Sequence, residues 1–435
     1  MAGDAVAPRR VAVALLDRVL DEKLTMDEAT DFAAFERLAP ADRARATRLA
    51  TTVLRHLDSA DARLQPHLRK APPMTVQNAL RLGVVEVAAL GTASHGVVHS
   101  IVDVVRRDKR HTRMSGLVNA VLRKAVGEPG AGLGPARLPR WISGPVQEAW
   151  GKGALRGISA AHAKAAPVDL TLKPGADYAA ALNAEVLPTG SLRLKDAGQI
   201  SALPGFEAGD WWVQDAAAAI PARILAPRPG ERVLDLCAAP GGKTLQLAAA
   251  GAEVTAVDMS ARRMERLTEN LERTGLKAEC VVADAMKYAS QTPFDAVLLD
   301  APCSATGTIR RHPELPLIRT GKQVGELIGL QGKLLDRAAK LTARGGRIVY
   351  AVCSLLPREG EAQIDNFLTR HRGNWQVDDT ALDLPGIDSA WRVPQGLRLR
   401  PDYWAERGGM DGFFISVLRS TGPGGASGAR EGQDG

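Results

Sequence analysis

Apolar positions recur at helical spacing along the first 125 residues. Val11, Leu15, Leu16, Val19 and Leu20 share one face, and Leu49, Val53, Leu54 and Leu57 a second. Leu80, Leu82, Val85, Val87 and Leu90 mark a third segment with Gly83 in its middle, Ile101, Val102 and Val105 a fourth, and Leu117, Val118, Val121 and Leu122 a fifth. Short polar or glycine-bearing breaks separate them and no alternating stretch intervenes. Residues 1–128 therefore predict an all-helical domain with arginines on its outer faces. Gly127 to Gly134 is rich in Gly and Pro and reads as a linker. It leads to connector helices up to residue 166, where Trp141 and Trp150 read as docking residues. Over 167–213 the pattern changes: Val168 to Leu172 and Ser191 to Leu194 read as strands, with a helix around Tyr178 to Ala184 between them, a small α+β subdomain.

From Gln214 apolar runs alternate with amphipathic stretches. A helix over Ala216 to Leu225 precedes strands at 232–236, 253–257, 279–282, 295–299 and 346–352, with helices at 244–250, 260–274 and 323–343. Such alternation is the mark of a doubly wound parallel sheet, an α/β domain over residues 214–420. Leu397 to Leu399 and Phe413 to Leu418 read as a closing antiparallel pair. The Gly-rich segment 421–435 reads as a disordered tail.

Composition adds bounds rather than identity. At 435 residues, 45% hydrophobic and 24% charged, the chain is ordinary globular material with room for two or three domains. No apolar run approaches the roughly 18–20 residues that span a bilayer, and no apolar block with a cleavage site follows Arg9 and Arg10, so a signal peptide is not expected. Cys237, Cys280, Cys303 and Cys353 have neither metal-ligand spacing nor a disulfide framework, and His95, His99, His111 and His312 form no metal pattern. A monomer in a reducing cytoplasm, without membrane or metal, is the expectation. The net charge of +7 is uneven: Arg43 to Lys124 holds 15 Lys or Arg against 5 Asp or Glu. That surplus fits a solvated helical surface or, more pointedly, a face that binds a polyanion such as RNA.

In open α/β sheets, ligands bind beyond the carboxyl ends of the strands. The first strand runs into Cys237-Ala-Ala-Pro-Gly-Gly-Lys-Thr244, a glycine turn that opens a helix and lets a ligand approach the backbone. The second ends at Asp258, 23 positions beyond Asp235, where an acid can bond a ribose diol. Asp284 follows the third, Asp300-Ala-Pro-Cys303 the fourth and Cys353-Ser-Leu-Leu-Pro357 the fifth. A nucleoside triphosphatase loop would need Gly at 237 and suits Pro240 poorly. A nicotinamide dehydrogenase would need G-x-G-x-x-G, and leaves two cysteines unexplained. S-adenosylmethionine fits best, and the cysteines supply a reaction. Carbon 5 of a pyrimidine becomes nucleophilic once a thiolate adds to carbon 6. Cys303 and Cys353 both qualify as that thiol on chemistry alone. Cys280, inside a strand, is expected in the core, and Cys237 reads as a packing residue beside the cofactor.

Asp235-Leu-Cys-Ala-Ala-Pro-Gly-Gly-Lys-Thr244, Asp300-Ala-Pro-Cys-Ser-Ala-Thr-Gly307 and Val352-Cys-Ser-Leu-Leu-Pro-Arg-Glu-Gly-Glu361 resemble the RNA cytosine-5 methyltransferases of the Sun superfamily. Leu117-Val-Asn-Ala-Val-Leu-Arg-Lys124 is similar to the end of a NusB-like RNA-binding domain, a fusion found in the bacterial 16S ribosomal RNA branch. The resemblance implies a class I (Rossmann-like) methyltransferase sheet behind a NusB-like domain. It implies Cys353 as the nucleophile, Cys303 as the group that assists product release, and Asp300 between cofactor and base. It further implies S-adenosylmethionine held by Cys237, Ala238, Ala239, Pro240, Gly241, Gly242, Lys243, Asp258, Arg263, Asp284 and Asp300. Transfer RNA as substrate, or a non-catalytic NusB-type RNA-binding factor, are the alternatives. Intact Cys303, Cys353, Asp258 and Asp300 argue against the second.

Overall fold

The structure, a computed structural model, describes residues 6–127 and 132–421. Most of the tail expected to be disordered (422–435), and residues 128–131 of the expected linker, lie outside the described residues. The chain divides into two compact units. One runs to Ala165 and takes in Ile309–Thr320; the other holds Ala166–Thr308 and everything from Gly321.

The first unit is helical: α1 (Ala7–Leu20), α2 (Pro40–Arg55), α3 (Leu57–Leu64), α4 (Met74–Ala88), α5 (Ser94–Arg107), α6 (Ser115–Gly127) and α7 (Arg140–His162), with single turns at Met26–Ala29, Ala33–Glu36 and Leu315–Ile318. The apolar faces read from the sequence meet in one core, among them Leu15, Leu16, Leu49, Val53, Leu80 and Leu122, except that Leu117 at the start of the fifth face is exposed. Gly83 has a packing reason. A Cβ there would come within 2.8 Å of the Leu122 side chain, so its absence lets α6 seat against α4. Arg9 is not on an outer face: it is buried and forks onto Glu86 with contacts of 2.7 and 2.8 Å, tying α1 to α4. The α7 segment is kinked at Gly151, whose φ of 80° is non-helical. Within this unit Arg310, also buried, receives a hydrogen bond on its carbonyl from Arg55 at 2.9 Å, and Glu314 accepts the Met26 N–H at 3.3 Å.

The second unit opens with a four-stranded antiparallel sheet in the order β2-β3-β1-β4: β1 (Asp169–Leu172), β2 (Ala184–Val186), β3 (Leu192–Leu194) and β4 (Trp211–Val213). The helix expected at Tyr178 to Ala184 is instead a turn. The Leu182 N–H does reach the Tyr178 carbonyl at 2.9 Å, but Asn183 adopts φ 46° and sends the chain into β2. The fourth strand, β4, carries Trp211 and Trp212 to opposite sides. Trp211 fills the small core with Leu170 and Leu192, whereas Trp212 packs on Ala238 and Leu267 of the larger sheet. Neither ring is free to stack on a base. Asp169, wholly buried, anchors the subdomain. It binds Arg193 through both oxygens (2.7 and 2.8 Å) and accepts the Ala216 N–H at 3.0 Å.

After α8 (Ala216–Leu225) come β5 (Arg232–Leu236), α9 (Gly242–Ala249), β6 (Glu253–Asp258), α10 (Ala261–Thr274), β7 (Glu279–Val282), β8 (Phe294–Asp300), α11 (Gly321–Leu341), β9 (Thr342–Val352), α12 (Glu361–Arg370), β10 (Trp375–Val377), β11 (Arg392–Val393), β12 (Gly396–Leu399) and β13 (Phe413–Ser420). Their sheet runs β11-β12-β13-β9-β8-β5-β6-β7, with β10 beside β13. From β9 to β7 all pairings are parallel; β13 returns antiparallel on β9. The chain leaves β5 in one direction for β6 and β7, then comes back to β8 on its other side. That reversal opens a crevice beyond the ends of β5 and β8, the expected ligand position in this architecture. One assignment is reversed. Cys280 is exposed, because β7 is the last strand of the sheet and covered poorly on both faces.

Candidate active site

The turn after β5 is held open by its neighbours. Cys237 takes φ 62° and Gly241 φ 104°. A Cβ on Gly241 would lie 2.1 Å from Leu267 of α10, so both its dihedral and its packing demand glycine. No side chain caps α9, which leaves the amides of its first turn available to a ligand. Asp258 braces the turn from β6: its carboxylate accepts the Ala239 N–H at 3.1 Å and the Ser260 N–H at 2.9 Å. Arg263, in the first turn of α10, lies 3.6 Å from Asp258 and donates to the Ala239 carbonyl. Its side chain, half in solvent, thus touches both the turn and the acid. Asp284 is exposed just beyond β7, where it accepts the Met286 N–H at 2.9 Å.

Lys243 reaches from the start of α9 to Asp300 at the end of β8, with Nζ to Oδ2 at 2.7 Å. Burial alone would lower the affinity of this ammonium for its proton, but the Asp300 carboxylate outweighs it and holds Lys243 above its ordinary value. Asp235 lies beneath, fully buried, and accepts the Thr244 hydroxyl at 2.6 Å; its other oxygen has no partner. Burial pushes Asp235 up to about 7 against the Thr244 bond. A carboxyl raised in the folded state stabilises the fold below its unfolded value and loses that contribution as pH climbs from about 4 through about 7. Asp235→Asn should therefore lose less stability than the wild type between pH 5 and pH 8, read as urea midpoints. Parallel pH dependence in the two proteins would contradict the assignment.

The two cysteines at the ends of β8 and β9 come together, Sγ to Sγ 3.5 Å. Cys303 is buried and Cys353 partly buried. The hydrogen bond with Cys353, then burial, then nearby negative charge push the Cys303 thiol well above its usual range, so it keeps its proton. Cys237 is pushed up to about 12 by burial and by Asp300, Asp258 and Asp235, which makes it inert at neutral pH. The crevice thus gathers a glycine turn, the acids Asp235, Asp258 and Asp300, a mostly buried ammonium and a thiol pair. Thr244, Glu359 and the serines after each cysteine join this site, although the sequence reading does not single them out. The repeated Cys-Ser step at 303–304 and 353–354 is the signal that could have found the serines. Among the described residues no group of His, Cys, Asp and Glu could hold a metal ion, and no helix is long and apolar enough to cross a membrane.

Comparison with known proteins agrees with this layout. The family described as 16S rRNA methyltransferase RsmB/F matches residues 222–419, and the NusB family matches residues 6–126. Ribosomal RNA small subunit methyltransferase B of Pseudomonas putida is 35% identical over 439 residues, covering 94% of this chain and 98% of the relative. Its namesake from Xylella fastidiosa is also 35% identical, over 95% and 98%. Among solved structures, PH0851 superposes with a TM-score of 0.72 at 24% identity, over 94% of this chain and 98% of that one. A methyltransferase homologue from Pyrococcus horikoshii gives 0.54 at 27% identity over 63% and 93%. A NusB-type helical unit followed by a Rossmann-like methyltransferase sheet, matched by such relatives over 94% to 95% of the chain, places it in the RsmB/F family of 16S rRNA methyltransferases.

Proposed function

We propose that this protein transfers a methyl group from S-adenosylmethionine to carbon 5 of a cytosine in 16S ribosomal RNA, through a covalent bond between Cys353 and carbon 6. The observation that carries the reading is the thiol pair beside a glycine turn that suits the methyl donor. The uncapped start of α9 suits the carboxylate of the donor. Residues 237–243, Asp258, Arg263 and Asp284 would hold it, with Asp258 and Asp284 on the ribose and adenine side. When bound, the donor supplies an electrophilic methyl group on sulfur.

The protein's own steps follow from the thiols. Cys353, as thiolate, adds to carbon 6; the electron pair that this addition moves onto carbon 5 would take up the methyl group as its bond to the donor sulfur breaks, that bond's electrons staying on the sulfur as a neutral thioether. Carbon 5 then holds both a hydrogen and a methyl group. That proton would pass to the Cys303 sulfur, once Cys303 has given its own proton to solvent, as the ring double bond re-forms and Cys353 leaves as thiolate. Cys303 is the group for the second half. Its proton is held chiefly by the hydrogen bond to Cys353, and that hold ends once the Cys353 sulfur is bonded to carbon 6. Asp300, tied by Lys243, would meet the edge of the base. The base must be unpaired to offer both ring carbons. The basic helical unit would supply RNA affinity.

Incubation with a labelled methyl donor and naked 16S RNA, assembled 30S particles or transfer RNA, followed by mapping of the labelled base, tests the proposal. Label on carbon 5 of one cytosine of 16S RNA is expected. Label confined to transfer RNA, or to another base, would reject it.

A further inference from the structure

A carboxylate with no part in the chemistry above joins the two cysteine loops. Glu359 is fully buried. Its Oε2 accepts the hydroxyls of Ser304 and Ser354, each at 2.5 Å. Its Oε1 accepts the Ser304 N–H at 2.8 Å and the Gln331 amide at 3.0 Å. Four donors occupy the acceptor sites of one carboxylate. Ser304 is the residue after Cys303 and Ser354 the residue after Cys353, so the same oxygen grips both loops one position beyond each sulfur.

Second contacts brace this grip. Thr306 Oγ1 lies 3.2 Å from both serine hydroxyls and accepts the Leu355 N–H at 2.9 Å. The Gly307 N–H donates to the Cys353 carbonyl at 3.0 Å. Gln331 of α11 also donates to the Pro302 carbonyl at 2.9 Å, just before Cys303. The Tyr350 hydroxyl on β9 donates to the Glu359 carbonyl at 2.7 Å. Hydrogen bonds to an ionised acceptor are about twice as strong as neutral ones, and a buried network with every member satisfied is rigid.

We propose that Glu359 is the positioning residue of the thiol pair: it locks the loop after β8 to the loop after β9 and so sets the approach of Cys303 to Cys353. The inference rests on the reading of the two thiols as the reacting pair. Glu359 touches no reacting atom; it stands behind both sulfurs. Its charge is also one of the influences that keep the proton on Cys303, after the Cys353 bond and burial.

Glu359→Gln keeps the shape but replaces one acceptor oxygen by a donor group, so one of the paired contacts must break. Two measurements separate its effects, both in full-length protein carrying Cys280→Ser. The first is turnover with 16S RNA. The second is the rate at which diamide joins Cys303 to Cys353, followed by mass spectrometry. In that reaction two thiols give up two protons and two electrons, the diamide N=N bond becomes a hydrazine, and one S–S bond forms. The rate reads thiol approach without reference to methyl transfer. Glu359→Gln should lower kcat by about 10²-fold and slow disulfide formation by about tenfold, while KM for S-adenosylmethionine stays within about threefold. Ser304→Ala, which removes one hydroxyl and leaves the carboxylate, should shift both rates the same way by less, and covers the case in which the glutamine variant does not fold. Disulfide formation at the wild-type rate in both variants overturns the proposal, whatever happens to turnover. Slower disulfide formation with normal turnover supports the clamp and removes the catalytic reading of the thiol pair.

Discussion

Cys353→Ala is expected to lose methyl transfer by on the order of 10⁴-fold or more, because the substituted enzyme has no route to a nucleophilic carbon 5. Cys303→Ala should behave differently. The first bond to RNA still forms, methyl transfer still occurs, and the product is released slowly, so a protein–RNA adduct that survives denaturation accumulates. A gel of denatured protein with labelled RNA distinguishes the two. The physical ground for the asymmetry is the pair itself. The two sulfurs lie 3.5 Å apart, but Cys303 is buried whereas Cys353 is only partly buried, so an RNA base reaches Cys353 more readily. The assignment falls if Cys353→Ala keeps near wild-type turnover, or if Cys353→Ala rather than Cys303→Ala yields the adduct.

The second large effect is expected in the helical unit. Lys109, Arg113, Arg123 and Lys124 are exposed around α5 and α6. Arg123 also lines a groove of about 480 Å³ with His95, His99, Arg106 and Asn119. Arg106 and Arg110 are already turned toward Asp103 and Asp108. Replacing the four exposed cations by glutamine should weaken RNA binding by roughly 10²-fold at moderate salt. The plot of log affinity against log salt should flatten by about 0.7 to 0.9 for each phosphate no longer neutralised. Binding of S-adenosylmethionine should not change. Substitution in place is a cleaner test than removal of residues 1–128, since the compact helical unit extends to Ala165 and includes Ile309–Thr320. An unchanged salt slope would place the RNA-binding face elsewhere.

The crevice was legible because its parts follow short, buried, parallel strands. A run such as Val233-Leu-Asp-Leu236 cannot be exposed, and whatever follows it must emerge at the sheet rim. That logic brought Cys303 and Cys353 to one place from positions 50 apart. Edges and turns were less legible. Cys280 sits in a strand of the expected length, but burial depends on how many neighbours the strand has, and β7 has only one. Tyr178 to Ala184 carries helix-favouring alanines, yet the pairing of β2 with β3 prevailed over local propensity. Glu359 falls inside the Val352–Glu361 motif, but its role is not legible there for a different reason. A buried carboxylate near the end of a loop looks like any solvent-facing glutamate until the partners from β8 and α11 are known.

The antiparallel return of β13 on β9 has a consequence for biosynthesis. β9 leads into Cys353 and is paired along six positions by the strand that begins at Phe413. While the ribosome is still making the intervening segment, the outer border of β9 stays bare, with Ile348, Val349 and Tyr350 along it. An unpaired apolar border of that length invites other chains. Chains cut short before Phe413 should therefore be recovered in inclusion bodies, with every motif of the catalytic crevice already translated.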